Sequence, residues 1–258
     1  MKKFQWLIGF IFAGMLVGCS NEVTTSDGMK LVEEGKFTFA ASGEYAPFST
    51  TNPDGTMSGF DIEVGEVVAK ELGLEPVQKK FKFSSIVEGV KSGRFDAAIA
   101  SHTITENRKK NVNFSTPYYY SGPQIFTRPD SKIESLDDLT GKEVAVSKGS
   151  TYAKQAEQVT DNVILYDSDV TALEALSQGK HDAVITDFIT GKEAIGKGLT
   201  IVGKEILGRS EQAIAVAKDN KVLLKKINKA LEKLREDGTL KKISEKYFGE
   251  DITTLSSE

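Results

Sequence analysis

SGRFDAAIAS (residues 92–101) and QGKHDAVITD (residues 178–187) follow one pattern, a weak internal repeat that indicates how the chain is organised. In each stretch a helix-like run ends at a glycine, a basic residue follows, and Asp-Ala leads into apolar residues that finish on a polar side chain. The apolar part is typical of a buried strand. Ligands of open α/β sheets bind outside the carboxyl ends of the strands. Two such ends in one chain predict two lobes that face each other across a cleft.

Strand-like and helix-like segments alternate on both sides of these two stretches. The helix predicted at 60–72 has the clearest periodicity, because its apolar residues recur on one face and Gly73 follows as a stop. The alternation predicts an α/β fold with parallel sheets. The predicted strands are 37–42, 77–83, 95–100, 124–127, 143–146, 163–166, 182–185 and 213–217, and the other predicted helices are 85–91, 151–158, 171–178, 188–195, 222–235 and 239–247.

The first residues, MKKFQWLIGFIFAGMLVGCS, predict a targeting segment. Lys2 and Lys3 precede an apolar run that is shorter than the roughly 20 residues needed to span a bilayer. The run ends in LVGC, and Cys19 is the only cysteine of the chain. This arrangement resembles the lipobox of bacterial lipoproteins, which implies a signal peptide at 1–18 and a lipid anchor on Cys19. The alternative is a single transmembrane anchor with an incidental cysteine.

The composition limits the function classes. The net charge of −4, with lysines scattered along the chain, lacks the concentrated basic face of a nucleic-acid-binding protein. Two histidines and one cysteine form no metal-ligand cluster, and neither a GxSxG motif nor a glycine-rich phosphate loop occurs. We therefore expect no metal, no cofactor and no nucleic acid, although composition does not exclude an acid–base pair of Glu and Asp.

Arg108 lies in SHTITENRKKNVNFSTPYYYSG (residues 101–122), just past a predicted strand. Side chains in the first turn of a helix lean toward its N-terminus, so Arg108 is expected to project toward Ser101 and Thr103. A planar guanidinium matches the two oxygens of a carboxylate. The sequence thus favours an anion-binding arginine, and the alternative is a solvated charge run formed by residues 108–110.

Five segments carry a family resemblance: SGEYAPFSTTNPDGTMSGFDIEVGEVVAKELG, GRFDAAIASHTITENRKKNVNFSTPYYYSG, LTGKEVAVSKGSTYAKQAE, GKHDAVITD and ALEKLREDGTLKKISEKYFGED. In this order they resemble the extracytoplasmic solute-binding proteins, family 3, that serve ABC importers of polar amino acids. The resemblance covers nearly all of the chain after residue 36. It implies a type II periplasmic-binding-protein fold, in which two α/β lobes joined by two crossover strands close over a free amino acid.

The resemblance also implies a domain plan and a location. A lipidated tether at 19–35 would lead into a discontinuous first lobe, 36–120 and 215–254, with the second lobe at 121–214. The protein would be a non-enzymatic receptor that delivers its amino acid to permease subunits. It would act as a monomer on the extracytoplasmic face of the cell membrane, held there by the lipid on Cys19.

Matching positions take on roles at the carboxylate end of the ligand. Arg108 would pair with the α-carboxylate, and Thr103 would add a hydroxyl or a backbone N–H beside Ser101. Ser150 and Thr151, in KGST, would offer the N–H groups of a helix start, which favour anions.

Other matching positions take on roles at the ammonium end and around the side chain. Asp187, beside Thr186, would accept hydrogen bonds from the α-ammonium, or it could cap the helix that follows. Tyr45 and Phe83 would sandwich the ligand side chain, or they could be core aromatics. Tyr152 is a further candidate for the side-chain pocket.

Ser42 stands where binders of basic amino acids carry an acid. Without that carboxylate a cationic side chain would lose its counter-charge, and a buried unpaired ammonium is costly. Glu44 is close in sequence but would point to the opposite side of an extended segment. We therefore expect a neutral polar ligand such as glutamine or cystine. The alternatives are a binder of basic amino acids and, since relatives on this fold are enzymes, a dehydratase- or peptidoglycan-lyase-like activity.

Overall fold

The computed structural model describes residues 22–255, so the predicted signal peptide and Cys19 lie outside the described residues. The strands are β1 (Val23–Thr24), β2 (Lys30–Leu31), β3 (Lys36–Ala41), β4 (Glu44–Tyr45), β5 (Ser49–Thr51), β6 (Met57–Ser58), β7 (Glu75–Lys80), β8 (Ala97–Ala98), β9 (Val112–Ser121), β10 (Pro123–Thr127), β11 (Val144–Ser147), β12 (Val163–Tyr166), β13 (Ala183–Asp187), β14 (Val202–Ile206) and β15 (Ser210–Ala217). The α-helices are α1 (Phe60–Leu72), α2 (Phe83–Lys91), α3 (Glu106–Lys109), α4 (Thr151–Ala156), α5 (Asp169–Ser177), α6 (Phe188–Gly196), α7 (Lys221–Glu236) and α8 (Thr239–Phe248).

Two five-stranded sheets with helices packed against them form two lobes, which confirms the predicted two-lobe α/β fold. The strand order is β7-β3-β8-β15-β9 in the first lobe and β12-β11-β13-β10-β14 in the second. The predicted parallel pairing holds for three strands of each sheet, β7, β3 and β8 in the first and β12, β11 and β13 in the second. The strands that lead into or out of the crossings between the lobes, β9, β10, β14 and β15, pair antiparallel, because no helical crossover lies between the strands on either side of a crossing.

The repeated sequence pattern has the same structural role in both lobes. The carboxylate of Asp96 accepts a hydrogen bond of 2.6 Å from the backbone N–H of Thr38, on the neighbouring parallel strand. Asp182 accepts a hydrogen bond of 2.9 Å from the N–H of Glu143, just ahead of β11. Each aspartate therefore ties the start of its own strand to the next strand, and this sets the register of the sheet below the cleft.

The lobes are joined at two adjacent crossings, residues 121–123 and 207–210. Gly122 is required here, since a Cβ at this position would lie 2.1 Å from the carbonyl oxygen of Gly208 on the other crossing. The N–H of Leu207 donates to the carbonyl of Pro123 at 2.8 Å. The return strand joins the first sheet from Ser210 onward. The domain boundary at 214/215 stays a prediction, and these pairings favour a boundary nearer 208.

Each lobe has its own hydrophobic core. The large core of the first lobe contains the fully buried Phe48, Phe60 and Tyr119, whose ring centroids lie 5.0 to 6.2 Å apart. Two smaller clusters cover the two faces of the second sheet. Helix α1 has the predicted bounds because its apolar stripe faces this core and Gly73 ends it in a left-handed conformation. Within residues 22–255 no helix is long and apolar enough to cross a bilayer.

Helix α2 begins two residues earlier than predicted, and this change matters for the site. Phe83 is its first residue rather than the end of the preceding strand. That strand, β7, stops at Lys80 because its parallel partner β3 ends at Ala41, opposite Lys80. Phe83 is therefore held by a helix N-terminus at the edge of the cleft.

Candidate functional site

A hollow of about 420 Å³, measured with its open mouth, lies between the two lobes. Eight of the ten predicted ligand-binding residues line it, while Thr186 and Asp187 do not. The structure therefore brings together residues that are far apart in sequence at the carboxyl ends of both sheets. The wall consists of Ser42, Glu44, Tyr45, Phe83, Ser101, Thr103 and Arg108 from the first lobe and Ser147, Ser150, Thr151, Tyr152, Asp167, Ser168 and Asp169 from the second.

Direct contacts across the hollow hold the lobes in a closed arrangement. These contacts run from Arg108 Nη2 to the Gly149 carbonyl (3.1 Å), from Ser168 Oγ to the Glu44 carbonyl (2.9 Å), between the hydroxyls of Tyr45 and Tyr152 (3.4 Å), and from Lys82 Nζ to Asp167 Oδ2 (3.0 Å). Every one of them joins a first-lobe residue to a second-lobe residue. The geometry described below is therefore that of the closed form.

Arg108 is a half-buried cation whose partners are neutral. Its backbone N–H donates to Thr105 Oγ1 at 3.2 Å, which caps the short helix α3. Its Nη1 donates to the carbonyl of Thr103 at 2.9 Å, and its guanidinium lies 5.6 Å from the ring centre of Phe83. Among the described residues no carboxylate lies within 4 Å of the guanidinium. Burial lowers the pKa of Arg108 to about 10, so the side chain is cationic at neutral pH and attracts an anion.

The short helix α4 faces the hollow from the second lobe. Ser150 caps it, since Ser150 Oγ accepts a hydrogen bond of 3.2 Å from the N–H of Ala153. Thr151 and Tyr152 open the helix, and N–H groups of a first turn have no intrahelical acceptor. Because Gly149, directly ahead of the cap, accepts from Arg108, the guanidinium and the helix start lie side by side. Both favour a carboxylate at this end of the hollow.

Asp169 presents a buried carboxylate to the hollow. It is the first residue of α5 and is 6% exposed. Its Oδ1 accepts a hydrogen bond of 2.7 Å from Thr186 Oγ1. Burial raises the pKa of Asp169 to about 6, and hydrogen bonds from Thr186 and Ser147 oppose that rise. The side chain is therefore mostly ionised at neutral pH and has no cationic partner among the described residues.

The sequence analysis missed Asp169, although a signal existed. The segment Asp167-Ser168-Asp169 comes directly after strand β12, so it lies at the carboxyl end of a strand, as do the ends of the stretches 92–101 and 178–187. Asp169 was not predicted to be a site residue because the helix was predicted to start later, at 171. Thr186 lies behind the wall and donates to Asp169, and its predicted contact with the ligand stays a prediction.

Asp187 lies behind the wall and is fully buried. Its Oδ1 accepts from Ser121 Oγ at 2.8 Å and from the N–H of Ile189 at 2.9 Å, so it caps α6 and bonds to the crossing strand. Its Oδ2 accepts from the Tyr152 hydroxyl at 3.4 Å. Burial raises the pKa of Asp187 to about 7. The predicted contact between Asp187 and an ammonium stays a prediction, and in the closed form Tyr152 stands between Asp187 and the hollow.

Aromatic side chains form the walls between the two charged ends. Tyr45 stacks on Phe48 with ring centres 5.0 Å apart. Phe83 stacks on His102 with ring centres 4.6 Å apart. Burial lowers the pKa of His102 well below its usual 6.5, so the imidazole is neutral and acts as packing. Both wall rings are therefore held in place before any ligand arrives.

Ser101 is held in a strained conformation at the edge of the hollow. Its φ of 55° lies in the left-handed region, which is uncommon for residues other than glycine. The buried carboxylate of Asp61 accepts hydrogen bonds from Ser101 Oγ at 2.8 Å and from the Tyr118 hydroxyl at 2.6 Å, and that hydroxyl accepts from the Ser101 N–H at 3.0 Å. Asp61, interpreted from sequence only as part of a helix start, thus shapes the site from below.

Ser42 and Glu44 set the polarity of the outer part of the hollow. The Ser42 hydroxyl lies 3.2 Å from that of Ser49 and accepts from the N–H of Glu44 at 3.2 Å. Glu44 lines the mouth, where its backbone carbonyl accepts from Ser168 Oγ, and its carboxylate pairs with Lys80 at 2.9 Å. The expectation that the Glu44 side chain points away from the ligand stays a prediction.

Comparisons with known proteins give a consistent result. The family model described as "Bacterial extracellular solute-binding proteins, family 3" matches residues 37–250. The chain is 34% identical to the "L-cystine-binding protein TcyJ" of Escherichia coli (strain K12) over 258 residues, covering 96% of this chain and 97% of that protein. It is 35% identical to the "Probable amino-acid-binding protein YxeM" of Bacillus subtilis (strain 168), covering 98% and 97%. A solved structure of an ancestral arginine-binding protein bound to glutamine matches with a TM-score of 0.78 and 37% identity, covering 84% and 100%.

Proposed function

Since the chain belongs to the bacterial extracellular solute-binding proteins of family 3, we propose that its solute is a free amino acid, which it delivers to the permease of an ABC importer. One observation carries the proposal. Counting partners among residues 22–255, the closed hollow exposes a cation without a carboxylate partner, Arg108, from one lobe and a carboxylate without a cationic partner, Asp169, from the other. An α-amino acid carries the complementary pair of charges on one carbon atom.

The zwitterion is held at both of its ends. The α-carboxylate pairs with the Arg108 guanidinium and the first turn of α4, and the α-ammonium donates to Asp169. Both contacts are charge-assisted hydrogen bonds in a site shielded from water, where such bonds are strongest. Micromolar affinity corresponds to about −8 kcal/mol, which these contacts and the aromatic walls can supply. Because the two charges come from different lobes, binding stabilises the closed form.

The side chain of the ligand is polar and neutral where it passes Ser42. The two acids near the mouth already have cationic partners, since Glu44 pairs with Lys80 and Asp167 pairs with Lys82. A lysine or arginine ligand would have to displace one of these pairs. A cystine- or glutamine-like side chain needs only hydroxyl and backbone partners, and the names of the relatives above include a cystine binder and a complex with glutamine.

The protein binds without chemical conversion of the ligand. Arg108 and Asp169 are both used to hold the two charges that every amino acid carries, so neither is free to act on the side chain. Incubation with the bound amino acid followed by mass analysis tests this: recovery of unchanged ligand is expected, and accumulation of a dehydrated or cleaved product would establish an enzyme instead.

The protein is anchored to the extracytoplasmic face of the membrane through Cys19. The supporting observation is the LVGC sequence that follows the apolar run. Replacing Cys19 by alanine should move the protein from the membrane fraction to the soluble fraction or block its processing. Unchanged membrane retention of a processed Cys19→Ala protein would contradict the anchor.

A thermal-shift screen of the soluble part against the free amino acids and cystine tests the binding proposal. A ligand that binds only the native state raises the melting temperature by mass action. We expect a concentration-dependent rise for a neutral polar amino acid. A screen in which no amino acid raises the melting temperature would overturn the proposal.

A further inference from the structure

A second cavity, here called the vestibule, leads from the hollow to the surface. Lys80, Lys82, Ser84 and Ser85 line it on the first lobe, and Lys148 and Asp167 line it on the second. Its volume is about 1080 Å³, measured with its open side. Ser42, Glu44, Phe83 and Asp167 belong to the walls of both cavities, so the two are adjacent. A ligand longer than the hollow would enter the vestibule by passing Ser42 and Phe83.

The vestibule contains three lysines, and two of them are paired with carboxylates. Lys80 pairs with Glu44 at 2.9 Å, and Lys82 pairs with Asp167 at 3.0 Å. Within residues 22–255 no carboxylate lies within 4 Å of the Lys148 ammonium. The vestibule therefore carries an excess positive charge, and this charge comes from the second lobe while most of the wall comes from the first.

The start of helix α2 adds a second attraction for anions. The helix is nine residues long and begins at Phe83, and no side chain caps its N-terminus. The N–H of Ser85 is bonded to the carbonyl of Lys82 at 2.9 Å, whereas the N–H groups of Phe83 and Ser84 have no intrahelical acceptor. The positive end of the helix dipole thus faces the same cavity as Lys148.

Lys148 is connected to the hollow through its backbone and through the next residue, Gly149. Its backbone N–H donates to the carbonyl of Tyr166 at 2.8 Å, which fixes the loop after β11. The next residue, Gly149, accepts from Arg108, and a Cβ on Gly149 would lie 3.1 Å from Ser84 Cα. Closure of the lobes over the first head of a ligand therefore brings Lys148 up to the start of α2.

We infer that the vestibule binds the far end of the ligand and selects two-headed amino acids, whose side chain ends in a second carboxylate. The inference rests on the proposed function, because the first head must be held by Arg108 and Asp169. The distal carboxylate lies between the Lys148 ammonium and the first turn of α2, and the spacer runs between Ser42 and Phe83. Glutamine-like ligands end within the hollow and leave the vestibule to water.

Calorimetry with two disulfides of equal spacer chemistry tests the inference. L-Cystine carries a distal amino-acid head, and the mixed disulfide of L-cysteine with 2-mercaptoethanol carries a distal hydroxyl. We expect cystine to bind about tenfold more tightly to the parent protein, because only cystine places a carboxylate beside Lys148. Lys148→Glu should remove this preference while the affinity for the mixed disulfide changes less than about twofold. Lys180→Glu, the same charge change at an exposed position away from the vestibule, should keep the preference.

The outcomes separate the two proposals. If the parent binds both disulfides equally, or if Lys148→Glu keeps the preference for cystine, the vestibule is not a recognition site although the amino-acid hollow stands. If the parent binds neither disulfide but binds a single-headed amino acid, the selection of two-headed ligands is wrong. If the parent binds no amino acid at all, the proposed function falls together with the inference.

Discussion

The two lobes surround Arg108 and the aspartates Asp169 and Asp187 in opposite ways. In the first lobe Arg108 lies against backbone carbonyls and an aromatic ring, with no hydroxyl network around it. In the second lobe two buried aspartates lie within a network of hydroxyls from Ser121, Tyr152 and Thr186. Arg108 of the first lobe uses two of its guanidinium N–H groups on carbonyls and keeps others available. The two aspartates of the second lobe have pKa values that burial raises and hydroxyl hydrogen bonds lower. The proposed amino-acid ligand would complement both surfaces when they close.

The second lobe contains a further contrast between its own two aspartates. Asp169 and Asp187 both begin helices and both are buried, but only Asp169 lines the hollow. Asp187 Oδ1 accepts from the N–H of Ile189, which caps α6, and from the hydroxyl of Ser121 at the crossing. The comparison indicates that binding and structural support are divided between two residues of the same type.

The largest effect is expected for Arg108→Ala. Removing the guanidinium at the carboxylate end should weaken amino-acid binding at least about 100-fold, because a hydrogen-bonded ion pair shielded from water is lost. The fold should persist, since Arg108 lies on the cleft surface and its side chain donates only to two backbone carbonyls. Calorimetry and circular dichroism check the two statements, with Arg94→Ala as control at an exposed arginine outside the site. Near-parent affinity in Arg108→Ala would contradict the assignment.

Replacing Asp169 and Asp187 by asparagine, one at a time, tests which of the two binds the ligand and which supports the fold. Asp169→Asn should weaken binding about 30-fold, since the α-ammonium loses its counter-charge but keeps a hydrogen-bond acceptor. Asp187→Asn should weaken binding much less, because asparagine can still cap α6. Affinities from calorimetry decide the matter. A larger loss of affinity in Asp187→Asn than in Asp169→Asn would reverse the division of roles and restore the sequence-based assignment of Asp187.

The affinity should depend on pH through Asp169. In the ligand-free closed form burial raises the pKa of Asp169 to about 6, and a bound ammonium favours the ionised form, so binding below pH 6 must displace a proton. The dissociation constant should therefore rise as the pH falls below about 6, approaching tenfold per pH unit, and stay constant from pH 7 to 8. Calorimetry between pH 5 and pH 8 measures this. Asp169→Asn should show no such rise, and a parent profile flat down to pH 5 would refute the assignment.

The smallest effect is expected for Gly149→Ala, which tests closure without removing a charge. Gly149 has a φ of 81°, and an added Cβ would lie 3.1 Å from Ser84 Cα on the opposite lobe. The variant should bind about fivefold more weakly, at a cost of roughly 1 kcal/mol for the strained backbone and the obstructed closure. Small-angle scattering with ligand should show a larger radius of gyration than the parent complex. Gly141→Ala, at a positive φ with open space around it, controls for backbone strain alone.

Much of the fold followed from local patterns. Helix α1 was predicted with its observed bounds because its apolar stripe and its glycine stop are both local signals. Strand β8 was predicted at 95–100 but spans only Ala97–Ala98, because its length depends on how many residues its neighbours β3 and β15 present to it. Strand direction also depended on partners, so the antiparallel crossing strands were not foreseen.

The candidate site was predicted in part for a similar reason. The cationic end followed from Arg108, whose position after a strand and a threonine cap is visible in sequence. The acidic end did not follow, because 167–169 and 186–187 both place an aspartate at a carboxyl end of the second sheet. Which of them reaches the hollow is set by the ring of Tyr152, which stands in front of Asp187.

By itself, the sequence determined the two-lobe α/β architecture, the alternation of its elements and the guanidinium at the cleft, since periodicity, caps and strand ends are encoded by neighbouring residues. Tertiary packing determined which aspartate lines the hollow, how the crossing strands pair, and that Ser42, Phe83 and Asp167 line both the hollow and the vestibule. These features depend on how side chains that are distant in sequence pack against one another where the two lobes meet, and local sequence patterns do not encode that packing.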